Sequence, residues 1–112
     1  MSNVSTLSAR IEKISICAVG NQSQFALKLR LLEPVGGLEK RATCYMSIYS
    51  NYLAGRHDMP RLALASSGDI IDIFLMGLEM RPCEDDISCV FAEFTNIESF
   101  RIHTPKVIRG GM

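Results

Sequence analysis

The chain has 112 residues, 47% of them hydrophobic, and equal numbers of acidic and basic side chains. That length bounds it to one domain, and the apolar content is enough for a core without disulfides. No apolar run approaches the ~18 residues of a membrane-spanning helix, and zero net charge argues against strong non-specific adhesion to polyanions.

Met1 to Thr6 is a polar start, expected to fray. Leu7, Ala9 and Ile11 then alternate, and the apolar phase slips to Ile14 and Ile16. A slip of one residue inside a strand predicts a bulge that bends it. Ile14 to Val19 is short and follows Glu12 and Lys13, so it does not read as a secretory signal. Gly20-Asn21-Gln22-Ser23 is a turn signal.

Strand two is predicted from Gln24 to Leu32, with its apolar side chains at Phe25, Leu27, Leu29 and Leu31. Pro34-Val35-Gly36-Gly37 makes a loop. Strand three is predicted from Lys40 to Tyr49, with Ala42, Cys44, Met46 and Ile48 inward. Successive side chains of a strand face opposite sides. The outward set of these two strands is therefore Lys28, Arg30, Arg41, Thr43, Tyr45, Ser47 and Tyr49.

Asn51 to Ser67 lacks alternation, and Asp58 followed by Pro60 predicts a short helix to Ala65. Ile71, Ile73 and Leu75 form the core face of strand four. Its outward positions Ile70, Phe74 and Met76 are apolar too, which calls for cover by a loop, a helix or a second subunit. Glu79 to Ile87, with Glu84, Asp85 and Asp86, reads as an acidic hairpin loop. Strand five is expected within Ser88–Ile102, with Val90 and Ala92 on one face and Phe91 and Glu93 on the other. Residues 103–112 are expected to form a loose basic tail, leaving a core of about 7–102.

Five strands, a bulged first strand and a helix between strands three and four predict an all-β OB-fold barrel. A small β-sandwich is the alternative.

Charge is unevenly distributed. Lys and Arg dominate from Arg10 to Arg61, whereas Asp and Glu face Arg81 alone from Asp69 to Glu98. The four cysteines, Cys17, Cys44, Cys83 and Cys89, lie apart with no C-x-x-C pair. They read as reduced thiols of a cytoplasmic protein, with no zinc site. His57 and His103 have no nucleophile or metal-ligand set around them, and no phosphate-binding glycine motif opens a helix. No enzyme activity, metal or cofactor is expected.

The segments Ser23-Gln24-Phe25-Ala26-Leu27, Arg41-Ala42-Thr43-Cys44-Tyr45-Met46, Gly68-Asp69-Ile70-Ile71 and Asn96-Ile97-Glu98 resemble bacterial single-stranded DNA-binding proteins. They look still more like the primosomal replication protein N (PriB) family. The resemblance covers Leu7 to Ile102 and implies an OB barrel that binds single-stranded DNA as a dimer or tetramer. It implies a binding face at Lys28, Arg30, Arg41, Thr43, Tyr45 and Tyr49. Thr43 stands where that family commonly carries tryptophan, and Glu84-Asp85-Asp86 stands where its loop is often basic.

Cations beside aromatic rings on a sheet suit a flexible polyanion with stackable bases. The expected function is thus a non-enzymatic binder of single-stranded DNA or RNA in replication, restart or maintenance of a mobile element. Ile70, Phe74 and Met76 are the expected homodimer contacts. The alternative is an OB-fold interaction module that binds replication or transfer proteins through its acidic Asp69–Glu98 half and the apolar outward face of strand four.

Overall fold

The architecture comes from a computed structural model that describes residues 4–33, 41–49 and 62–104. The strands are β1 (Val4–Val19), β2 (Gln22–Leu31), β3 (Thr43–Tyr49), β4 (Ile70–Met76), β5 (Glu79–Pro82), β6 (Cys89–Glu93) and β7 (Asn96–His103). They form one curled seven-stranded sheet in the order β5-β6-β3-β2-β1-β4-β7. Its pairs are antiparallel except β3 with β6, which run parallel.

The alternation read from sequence sets the core. Leu7, Ala9 and Ile11 pack with Phe25, Leu27 and Leu29, with Cys44, Met46 and Ile48, and with Ile71, Ile73 and Leu75. Each set is buried, and the intervening residues face outward. Register joins the sets into layers, such as Ile11–Leu29–Cys44–Val90.

The predicted bulge is present. The β1–β2 register shifts between Ile11 and Lys13, so Glu12 is the extra residue. The turn before β4 docks there. Gly68 N–H donates to Ile11 O at 2.7 Å, Ile11 N–H to Asp69 O at 2.8 Å, and Ser67 Oγ to Glu12 O at 2.9 Å. Gly68 has φ +98°, a conformation that side chains other than glycine disfavour.

The expected strand count is corrected. The sheet has seven strands rather than five, because β5 forms within the expected acidic loop and the expected fifth strand is broken into β6 and β7. Gly77, at φ +64°, turns β4 into β5, and a Cβ there would meet Thr95 Oγ1 at 2.7 Å. On the other arm Thr95 separates β6 from β7, and its N–H and Oγ1 both donate to Met76 O. The two ends of the sheet are thus halves of one bent hairpin. Residues 79–82 are strand, so the acidic loop begins at Cys83.

The described end of the expected helix is helical at Leu62 and Ala63. Residues 58–61 of Asp58–Ala65 lie outside the described residues, and the turn that follows is closed by Ala65 N–H donating to Leu62 O at 3.1 Å. Buried Leu62 anchors that turn to the core. The Gly36-Gly37 loop, His57 and residues 105–112 also lie outside the described residues. The expected frayed start is ordered from Val4, where β1 pairs with Met76 of β4.

The cysteines depart from the reduced reading at one pair. The antiparallel β5–β6 hairpin brings Cys83 opposite Cys89, Cα atoms 5.7 Å apart, and the two are disulfide-bonded. Among the described residues, no helix is long and apolar enough to cross a membrane.

Candidate nucleic-acid interface

Register builds a row across the outer face. Lys13 sits opposite Lys28, Lys28 opposite Tyr45, Tyr45 opposite Phe91, and Phe91 opposite Arg81. One line of side chains therefore crosses β1, β2, β3, β6 and β5 in the sequence cation, cation, aromatic, aromatic, cation. The Tyr45 and Phe91 rings lie 5.8 Å apart between centroids, tilted by 40°. Phe91 is 49% exposed although it lies inside the sheet. An aromatic ring left half in water, with a second ring against it, is a ready stacking surface.

Beside these rings runs a groove of about 660 Å³, floored by Ala26, Met46 and Ala92 and walled by Tyr45, Phe91 and Phe94. A depression of about 360 Å³ continues it past Lys13 and Lys28. A third of about 350 Å³ continues it past Arg81, Glu84 and Asp85.

A second row lies alongside: Arg10 opposite Arg30, and Arg30 opposite Thr43. Two cation pairs thus sit directly across from each other, Arg10–Arg30 and Lys13–Lys28. Like charges placed so are destabilising. Among the described residues none of the four is in an ion pair. An incoming polyanion would relieve that repulsion, so the arrangement favours anionic ligands.

Of the residues expected from sequence, Lys28 and Tyr45 are brought together in the first row, and Arg30 and Thr43 share the second. Arg41 has a different task. Its Nη1 donates to the carbonyls of Cys83 at 3.2 Å, Asp86 at 3.1 Å and Cys89 at 2.9 Å, which ties the disulfide loop to the sheet. Tyr49 lies at the other end of β3, opposite Gln24 and two outward positions from Tyr45. Phe91, Lys13 and Arg81 are the additions. Sequence reading did put Phe91 outward, but its place beside Tyr45 depends on the parallel β3–β6 pairing.

The loop has its own electrostatics. Asp86 Oδ1 accepts from Ser88 Oγ at 2.6 Å and from Ser88 N–H at 2.8 Å. These bonds, followed by the fields of Arg41 and Lys28, hold its carboxyl below the ordinary aspartate range. A lowered folded pKa means that its contribution to stability is present above the ordinary aspartate pKa and lost as pH falls through the folded value.

Ile70, Phe74 and Met76 are each half-buried on β4. That strand is flanked by β1 and β7 and has no open edge. Phe74 lies between Thr6 and Ser99, and Ile70 between Arg10 and His103, so polar groups interrupt the apolar face. His103 Nε2 is 3.8 Å from Asp72, whose Oδ1 accepts from Ser8 Oγ at 2.6 Å.

The two free cysteines differ sharply: Cys17 is exposed and Cys44 is buried. Burial pushes the Cys44 thiol up from 9.0 to about 12. The folded protein thus keeps a proton that the unfolded chain releases, so stability falls as pH rises between those values and is untouched below them. Iodoacetamide at pH 8 should label Cys17 alone in the native protein and Cys17 with Cys44 in denaturant. Cys83 and Cys89 should label only after reduction. Mass spectrometry reads the sites, and equal native rates for Cys17 and Cys44 would contradict the buried thiol.

No protein-family model, curated protein or solved structure matches the chain.

Proposed function

We propose that this chain is a non-enzymatic, sequence-tolerant binder of single-stranded DNA, acting in replication, restart or the maintenance of a mobile element. The observation that carries this reading is the Lys13–Lys28–Tyr45–Phe91 row, with its exposed ring pair beside a groove. Lysines attract the backbone and the rings take bases, a combination that requires no base-specific hydrogen bonds. The fold we propose is an OB barrel: β4 with β5 is its bent fourth strand and β6 with β7 its fifth. The parallel β3–β6 pairing and the sharing of β1 between β2 and β4 support that grouping.

Fluorescence anisotropy with labelled oligothymidine tests the reading. If Lys13, Lys28 and Arg30 meet about three phosphates, log affinity should fall against log salt with a slope near −2. Absence of binding at low salt with micromolar protein would reject it. RNA of the same length is the comparison ligand. The second reading, an interaction module for replication or transfer proteins, is favoured by Ile87, 79% exposed on the acidic loop. Its signature is intact partner binding without any nucleic-acid affinity.

We also propose that the protein is a homodimer. Among the described residues one open edge lies on β1, where residues 13–19 pair with β2 but not with β4. Ile16 there is 52% exposed and Val19 is exposed beside it. An open β-branched edge is a template for a second copy. Sedimentation equilibrium should give twice the 12.4 kDa chain mass, and Ile16→Lys should return the monomer. A monomeric wild type would remove the dimer from the account.

The cytoplasm is the proposed setting. The Cys83–Cys89 disulfide stands against it, because such bonds are rare where thiols are kept reduced. Alkylation of protein quenched directly from cells decides the point.

A further inference from the structure

We propose that the binding row is short and one-ended: it holds about four nucleotides, and acidic side chains close it at β5. This deepens the single-strand reading and rests on it.

Neighbouring strands lie ~4.8 Å apart, so the four steps from Lys13 to Arg81 span roughly 19 Å. That length, with two rings for two bases, fits the lower end of the ~4–16 nucleotides covered by single-strand-binding barrels.

The two ends differ in charge. At the β1–β2 end stand Lys13 and Lys28, with Arg10 and Arg30 in the next row. At the β5 end the cation of the row, Arg81, is held by Glu93, Nη1 to Oε1 at 2.8 Å, and Arg41 is tied to the loop carbonyls. Glu79 sits opposite Glu93, and Glu84 and Asp85 line the depression beyond Phe91. All four carboxylates are exposed. A phosphate carried past Phe91 meets them within a screening length of ~8 Å at physiological salt. The Arg41 and disulfide anchors keep the loop bearing Glu84 and Asp85 on the sheet. A bound strand therefore ends at Phe91 or leaves the surface there.

Anisotropy with oligothymidines of four and eight nucleotides tests this in wild type and in the exposed-loop variant Glu84→Gln/Asp85→Asn. Longer strands are left out because they can bridge the two sites of a dimer. After correction for the number of binding positions, wild type should bind the two lengths within about twofold. The variant should bind the eight-mer about fivefold more tightly, with the four-mer unchanged, and high salt should erase the gain. A wild-type affinity that climbs tenfold from four to eight nucleotides would overturn the short site. An unchanged length dependence in the variant would overturn the acidic stop. Failure to bind either oligomer rejects the single-strand reading and this inference with it, whereas binding with the wrong length dependence rejects the inference alone.

Discussion

Tyr45→Ala and Phe91→Ala should each weaken binding of oligothymidine by about fivefold or more while leaving the domain folded. A base stacked on a protein ring contributes ~1–3 kcal/mol, and both residues here are partly exposed. Tyr45 is half-buried and Phe91 is 49% exposed, so neither truncation opens the deep core. The rings touch, so the double variant should lose less than the two single losses combined. Tyr45→Phe should retain most of the affinity, because stacking needs the ring and not the hydroxyl. Anisotropy gives the affinities, and circular dichroism with thermal melting gives the fold. Full affinity in the double variant would move the site off this face, and a matching effect of Tyr49→Ala would shift it along β3.

Cys44→Asp should unfold the domain. Cys44 is fully buried, in one layer with Leu29 and Val90. The surroundings that push its thiol up to about 12 would oppose a carboxylate in the same way. An unpaired buried charge costs at least ~3–5 kcal/mol, against the ~5–15 kcal/mol that holds a domain of this size together. Thermal melting should show no cooperative transition for Cys44→Asp and a clear one for Cys44→Val. A folded Cys44→Asp with near-native melting would mean that the layer is wetter than its burial indicates.

Much of the core was legible because one face of each central strand is apolar at strict spacing. Phe25, Leu27 and Leu29, then Cys44, Met46 and Ile48, then Ile71, Ile73 and Leu75 needed nothing beyond alternation. The bulge at Glu12 was legible for the same reason: a phase slip is the direct imprint of an extra residue. The same imprint marks the breaks that follow β4 and β6. Core positions pass from Leu75 to Leu78 and Met80 across Gly77, and from Val90 and Ala92 to Ile97 across Thr95. Those slips were readable, and the sequence-based expectation of one acidic loop and one curling strand passed over them.

Other features depend on contacts that no local pattern encodes. Phe91 reaches Tyr45 only through a parallel pairing between strands 46 residues apart, which alternation cannot reveal. Alternation shows that Arg41 faces outward but not what it bonds to. Its three carbonyl partners belong to a loop more than 40 residues away in sequence. Cys83 and Cys89 look unrelated until the β5–β6 register sets them face to face. The candidate site was thus visible as residue types, and its geometry was not.

Photo-crosslinking tests the central claim most directly. A short oligothymidine carrying 5-bromodeoxyuridine is irradiated with the wild-type protein, and the modified peptide is sequenced by mass spectrometry. The account predicts attachment at Tyr45 or Phe91, on the peptides of β3 and β6, suppressed by excess unlabelled strand. Attachment confined to β4, β7 or the 83–89 loop, with β3 and β6 unmarked, would contradict it.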